Sequence, residues 1–383
     1  MNKVFTFLII FFPIFSVYSS GFSNISVADL LMIILFPFFY LKVSKLKFNM
    51  NLPFFIIIIF ILYLLLSSAL LIFYGSNVGI LSTIRYILYL IMLVFSFKLF
   101  NLQYGIKLLK YTTVIVSIIV IIQFTYFIIF GSTLPWYIPG LNIMDEKFIL
   151  RESSEYYLTF YRPTGVFLEP THFAQFAVVY LVYLLFNNSS EKNYISLFLI
   201  IIAIICCGSS LGIVYLAFVG VFWLIKMFVY KISPIKIIII LIFLTIMIST
   251  ITQVDYFMNS INRIFTSEGF NGVAVGYRFD SLNFFIDSQQ SVINWVFGNG
   301  RSSEEIYFTG IFYFLFTNGI LGTILYLLLI FVGLITYRGF KWWLLLSALF
   351  LSIGSEFIVN FGILFYLAFV FNSSSEIKEI NRG

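Results

Sequence analysis

The sequence predicts an all-α, polytopic integral membrane protein of about twelve transmembrane helices (ten to twelve) with two long external loops. Three observations predict it. Hydrophobic residues make up 61% of the 383, charged residues only 10%, and 50 positions are phenylalanine, far more apolar surface than one water-soluble core can bury. The mean hydropathy is +1.06. Apolar runs of roughly 15 to 25 residues recur along the whole length, as helices crossing about 30 Å of hydrocarbon require. No soluble domain is left over, so residues 1–383 read as a single transmembrane domain.

The spans fall near 4–20, 25–41, 53–73, 80–97, 108–130, 165–187, 194–207, 210–229, 236–254, 306–335, 342–355 and 358–371. The first segment, MNKVFTFLIIFFPIFSVYSSGFS, puts a lysine before an apolar run as a signal peptide does. Its run is long and the next span begins almost at once, which predicts an uncleaved helix. The pair around CCGSS and the last two segments are short, and a count of ten or eleven merges them. Adjacent Cys206 and Cys207 lie inside an apolar run, are too local to staple distant segments and lack the spaced partners of a metal site. They read as packing residues.

Orientation follows from the cations. With both termini cytoplasmic, every lysine except Lys147 falls on the cytoplasmic side: Lys3, Lys42, Lys45, Lys47, Lys98, Lys107, Lys110, Lys192, Lys226, Lys231, Lys236, Lys341 and Lys378. That is a strong positive-inside pattern. The net charge of +6 then follows from orientation and anionic membrane lipid, and calls for no nucleic-acid partner.

The arginines behave differently. Only Arg338 and Arg382 join the cytoplasmic lysines, whereas Arg151, Arg162, Arg263, Arg278 and Arg301 lie in external segments and Arg85 sits inside a span. Guanidinium is a planar fork of donors suited to phosphate or carboxylate, so external arginines suit the holding of an anion. Pairing with external acids such as Asp145, Glu146, Glu152, Glu155, Asp255, Asp280 and Asp287 is the competing reading. Arg85 has no charged neighbour in sequence, which makes it the more pointed candidate.

The two long external loops cover 131–164 and 255–305, and long loops in a compact fold are usually functional. The first holds Pro135, Trp136, Tyr137, Pro139 and Gly140 ahead of MDEKFILRESSEYYLTFYR. Aromatic faces of this kind suit sugar rings and the membrane interface equally. In the second, GYRFDSLNFFIDSQQ puts Phe279, Leu282, Phe285 and Ile286 on one helical face and Asp280, Asn283 and Asp287 on another. The pattern predicts an amphipathic helix at the outer interface.

Residues 161–176, YRPTGVFLEPTHFAQF, gather an arginine, a glutamate and the chain's single histidine. Pro163 disfavours helix at Arg162, Gly165 permits an unusual turn, and Pro170 suits the first turn of the following span. Glu169 and His172 are then placed at the outer end of that helix, three residues apart and able to face one side. Backbone N–H groups and the helix dipole favour an anion there. Either side chain can accept a proton from a hydroxyl held nearby. The alternative is a salt bridge from Glu169 to Arg162, with His172 hydrogen-bonded in the bundle.

The pattern R-x-x-G-x-x-x-E-P in RPTGVFLEP, opening a span after a long external loop, resembles the O-antigen polymerase (Wzy) and O-antigen ligase superfamily of bacterial envelope glycosyltransferases. Two further stretches are similar: Arg278 in GYRFDSL followed by WVFGNG with Trp295, Gly298 and Gly300, and the helix YFLFTNGILGTILYLLLI with Asn318, Gly319 and Gly322. The resemblance implies a multi-pass enzyme of the bacterial cytoplasmic membrane that joins undecaprenyl-pyrophosphate-linked oligosaccharides on its outer face. It implies Arg162 and Arg278 on the pyrophosphate, and a flippase and a chain-length regulator as partners. Such a donor carries its own leaving group, so catalysis needs charge stabilisation and deprotonation of an acceptor hydroxyl. No cofactor is expected, and one histidine without a D-x-D in the external loops argues against a bound divalent ion. Glu169 is the expected acceptor base and His172 the second choice; Arg85, Arg263 and Arg301 complete the expected anion-binding set. The ligase branch carries an important histidine in its second large external loop, which this chain lacks between 255 and 305, so polymerase is preferred. A flippase would show repeat-related halves and a cation-lined cavity, and the chain shows neither repeat nor more intramembrane charge than Asp29, Arg85, Glu169 and Glu356.

Orientation is checked by thiol labelling after Cys206 and Cys207 are replaced by alanine. Asp145→Cys and Glu268→Cys should react with an impermeant reagent from outside the cell, while Lys45→Cys and Ser190→Cys should react only after permeabilisation. Labelling of Lys45→Cys from outside would overturn the orientation.

Overall fold

The computed structural model describes residues 1–22, 25–46, 51–74, 78–135, 137–138, 140–144, 161–187, 193–229, 286, 291–301 and 310–372. Among them the architecture is all-helical, apart from isolated bridges pairing Tyr18 with Ile143 and Ser19 with Ser26. In chain order the helices are α1 (Asn2–Phe15), α2 (Val27–Val43), α3 (Leu52–Phe73), α4 (Ile80–Leu99), α5 (Leu102–Phe130), α6 (Pro170–Phe186), α7 (Tyr194–Cys206), α8 (Ser210–Val229), α9 (Val292–Phe297), α10 (Gly310–Thr336), α11 (Phe340–Gly354) and α12 (Phe361–Val370). Each apolar segment nominated above that falls among these residues carries a helix. The segment 236–254, most of both long loops and the amphipathic stretch other than Ile286 lie outside them.

Helices α3, α4, α5 and α10 are long and apolar enough to cross a membrane. The 22 residues of α3 reach about 33 Å, matching the hydrocarbon thickness. Leu62, Leu66 and Phe73 on α3 are 53%, 66% and 84% exposed. Outward leucine and phenylalanine along a whole helix fit a membrane-embedded chain.

The chain divides into two compact units, Met1–Tyr111 with Leu141–Met144 and Asp280–Gly383, and Thr112–Gly140 with Asp145–Phe279. In the first unit α12 packs against α1, α4 and α11, and its residues Ile363 to Val370 are at most 1% exposed. A helix apolar on every side is a core helix or a membrane span, and length decides between them. Its 10 residues rise only about 15 Å, half the thickness of the hydrocarbon layer. Lys341, one of the lysines used above to set orientation, is also internal here: it is 1% exposed and donates to Asn372 Oδ1 at 3.3 Å.

Also in the first unit, α10 lies on α3, α9 and α11 and breaks at Gly319, whose backbone is at φ 63°, ψ −172°. A break frees carbonyls that intrahelical bonds would otherwise use. Phe316 O accepts from Asn299 N at 2.8 Å, Thr317 O from Gly300 N at 3.1 Å, and Asn318 O from the Tyr63 hydroxyl. The segment after α9 thus lies along the break and completes its hydrogen bonding. Close approach demands glycine on both sides. A Cβ on Gly298 would stand 2.5 Å from Thr317 C and 2.6 Å from Asn318 N, and one on Gly319 would strike Val296 O.

The second unit packs α6 against α7 and α8. Its α7–α8 turn lies at the first turn of α6, where Cys207 Sγ points to Pro170 O at 3.8 Å and Thr171 Oγ1 meets Ser209 Oγ at 3.3 Å. Both cysteines are buried, as packing residues are.

Gly298→Ala should lower stability by about 2 to 5 kcal/mol, combining positive-φ strain with overpacking against backbone that cannot retreat. Gly339→Ala is the reference, because Gly339 has φ +63° and nothing within 4 Å of its added Cβ; it should cost about 1 to 2 kcal/mol. Thermal unfolding in detergent measures both, and equal losses would show that the crossing at the break is loose.

Candidate functional site

The amino end of α6 is built by one turn and one glutamine. Phe167 N donates to Thr164 O at 3.2 Å, with Gly165 at φ +69° inside the turn. A side chain there would stand 2.6 Å from Val116 Cγ1 on α5. Gln123, also on α5 and 2% exposed, holds both backbone groups of Gly165: its Oε1 accepts from Gly165 N at 2.9 Å and its Nε2 donates to Gly165 O at 3.1 Å. Phe167 is fully buried against the rings of Phe173 and Phe176, at 6.3 and 5.2 Å between centroids. These contacts fix the direction in which the chain enters α6.

Glu169 is the N-cap of α6, in extended backbone at φ −134°, ψ 150°, and Pro170 takes the first helical position. His172 N donates to Glu169 O at 3.0 Å, closing the first turn. The Glu169 side chain makes no capping hydrogen bond, and it lies within electrostatic reach of the imidazole. Arg162 lies within electrostatic reach of the Cys207 thiol on the α7–α8 turn. Arg162, Glu169 and His172 are all partly buried. Among the described residues, neither Arg162 nor Glu169 makes an ion pair or a side-chain hydrogen bond. The salt bridge weighed above as the alternative is therefore not formed. The second unit brings a guanidinium, a carboxylate and an imidazole to one helix entrance and leaves the two opposite charges apart.

Arg85 has a different fate. Its Nε lies 3.3 Å from Asp29 Oδ2, so the arginine that looked alone in sequence has a carboxylate partner on α2 in the first unit. Asp29 is 5% exposed and heavily used. It closes a capping box with Ser26, taking Ser26 N at 3.2 Å and Ser26 Oγ at 2.8 Å on Oδ2, and its Oδ1 accepts the Tyr89 hydroxyl at 2.9 Å. Ser26-x-x-Asp29 ahead of an apolar run was a legible helix-start signal. Tyr89, one turn after Arg85 on α4, carried no signal of its own.

Arg301 follows the segment that completes the α10 break, and its carbonyl accepts from Gly79 N at 2.5 Å just before α4. The side chain is 6% exposed, with its guanidinium carbon 3.7 Å from the centre of the Tyr86 ring and Nη1 donating to Asn360 Oδ1 at 3.4 Å. Tyr86 and Asn360 carry no signal in the sequence, because an aromatic and an amide in apolar runs look like packing. Arg263 and Arg278 lie outside the described residues. No family model, curated protein or solved structure matches the chain.

Gln123→Ala leaves a buried N–H and a buried carbonyl of Gly165 without partners, so it should destabilise the protein by about 2 to 5 kcal/mol. Thermal unfolding of the purified protein checks this. An unchanged midpoint would show that the turn holds without its glutamine.

Proposed function

We propose that the protein is a polysaccharide polymerase of the bacterial cytoplasmic membrane, with ten to twelve spans and both termini cytoplasmic. It joins undecaprenyl-pyrophosphate-linked oligosaccharides, repeat units of an O-antigen or capsule, on the outer face. One observation carries the reading: Arg162 and Glu169 stand partly buried at the same helix entrance without neutralising each other. Two opposite charges, each partly buried and left unpaired, have a cost in stability. A substrate that places its own anion on Arg162 and its own hydroxyl on Glu169 accounts for that cost. The motif R-x-x-G-x-x-x-E-P, with WVFGNG and the glycine-punctuated helix, supplies the family resemblance.

The chemistry then runs as a glycosyl transfer. Glu169 takes the proton from the acceptor sugar hydroxyl as its oxygen attacks the anomeric carbon of the donor glycan, with His172 as the neighbouring second base. The bond from that carbon to the lipid pyrophosphate breaks, and Arg162, joined by Arg278, stabilises the departing charge through bidentate hydrogen bonds. The carboxylate needs no metal to accept the proton, and the guanidinium needs none to hold the phosphate.

Deletion of the gene should leave single lipid-linked repeats that still reach the outer face. Arg162→Lys and Arg278→Lys keep charge but lose the planar fork, and should lose most polymer at normal protein level. Glu169→Gln should reproduce the deletion, since an amide cannot take a proton at neutral pH. The readout is repeat length by gel of surface polysaccharide and of lipid-linked intermediates. Long polymer stranded on its lipid carrier in the deletion strain would identify a ligase instead, and single repeats confined to the cytoplasmic face would identify a flippase. If Glu169→Gln still polymerises, the base is His172 or another group.

A further inference from the structure

We infer that the first unit holds an oxyanion site of its own, centred on Arg301, which takes a phosphate or carboxylate group edge-on. The inference does not rest on the polymerase reading. Arg301 is 6% exposed, and its Nε and Nη2 have no hydrogen-bond partner among the described residues. These two nitrogens form the side-on edge of the guanidinium, the edge that donates two parallel N–H bonds to a carboxylate or phosphate. One face of the guanidinium is covered by the Tyr86 ring at 3.7 Å, and Tyr313 is a second ring at 5.9 Å. With the face stacked and Nη1 on Asn360, the edge is what remains for a ligand.

Among the described residues, the surroundings do not supply the anion. Asp29 is the carboxylate of the α2–α4 network, and its oxygens are taken by Arg85, Ser26 and Tyr89. Tyr89 lies within electrostatic reach of Asp29, Arg85 and Arg301. Glu356 acts on Tyr313 from the other side, yet Arg301 forms no ion pair with it among the described residues. A buried cation with two unmade hydrogen bonds is costly. The Tyr86 hydroxyl, likewise buried without a partner, adds a further donor beside the guanidinium.

Two backbone features point the same way. Asn360, which receives Nη1, is the N-cap of α12, and its side chain makes no capping bond to that helix. The amino end of α12, where the dipole favours an anion, therefore begins at the residue that the guanidinium contacts. The Arg301 backbone is pinned by its bond to Gly79 and by the Gly298–Gly300 crossing over α10, so the side chain is held in place before any ligand arrives. A preorganised, poorly hydrated pair of donors is how oxyanions are bound tightly.

Two sources offer this chemistry, a free or sugar-borne oxyanion and the headgroup of an anionic lipid. The full-length protein is placed in nanodiscs of phosphatidylcholine alone, with and without inorganic phosphate against chloride at equal ionic strength, and in nanodiscs containing phosphatidylglycerol. The unfolding midpoint should rise with phosphate, with the anionic lipid, or with both, and the arm that responds names the source. Arg301→Gln should abolish the rise, weakening the apparent affinity about tenfold or more, the loss of at least one charge-assisted hydrogen bond. It should not lower the midpoint measured without anion, because an uncompensated charge has been removed. Where Arg301→Gln does not accumulate, Arg301→Lys, which keeps charge without the fork, carries the same comparison. Arg162→Gln should keep the rise. No rise in either arm, or a rise that survives substitution of Arg301, overturns the site; a rise lost only in Arg162→Gln overturns it too and leaves the polymerase reading standing.

Discussion

The break in α10 is the constraint on which much of the first unit depends. In an apolar surrounding a helix cannot stop hydrogen bonding midway, because each freed backbone group costs several kcal/mol. The carbonyls of Phe316, Thr317 and Asn318 all accept hydrogen bonds, two from backbone N–H groups of the Asn299–Gly300 segment and one from the Tyr63 hydroxyl on α3. The same segment then hands its last carbonyl, on Arg301, to Gly79 at the start of α4. One break thus ties α4, α9 and α10 together through main chain and adds α3 through the Tyr63 hydroxyl. The position of the buried arginine follows from it.

Charge in this protein has two fates, and the difference is informative. Asp29 gathers Arg85, Tyr89 and the amide and hydroxyl of Ser26, so a carboxylate that is 5% exposed has every oxygen engaged. That arrangement is what structural burial of charge requires. Arg162 and Glu169 have no such partners among the described residues, and Arg301 has one weak bond for its five N–H donors. Charges that the fold leaves unsatisfied are poor explanations of the fold.

The helices were legible because a run of apolar residues long enough to cross hydrocarbon has few other structures open to it. Arg85 was not, since its partner lies on another helix and hydropathy says nothing about which faces meet. The capping box at Ser26 could have placed Asp29 at a helix start, but not beside Arg85. The length of α12 was also hidden: a buried core helix and a membrane span have the same composition, and the segment 358–371 begins on the last residue of the 3-10 turn Glu356–Ile358 and carries flanking residues beside the 10 helical ones. At the α6 entrance the turn, the proline and the helix start were all readable from local backbone rules. The glutamine that holds the turn was not, because Gln123 sits in mid-helix among apolar residues.

The motif at that entrance separates cleanly by what each residue does for the fold. Gly165 is required by a positive φ and by the Val116 side chain pressed against it. Pro170 suits a first helical position that has no N–H to satisfy. A chain could share both letters with another protein merely because both make the same turn into a helix, so these two residues say little about activity. Arg162 and Glu169 are different. Glu169 occupies an N-cap and does not cap, although serine, aspartate or asparagine would do so at a gain of about 1 kcal/mol. Arg162 places a charge near the same end and pairs with nothing described. Local rules are broken at functional sites more often than elsewhere. The two residues of the pattern that the turn does not need are therefore the ones on which the proposed chemistry rests.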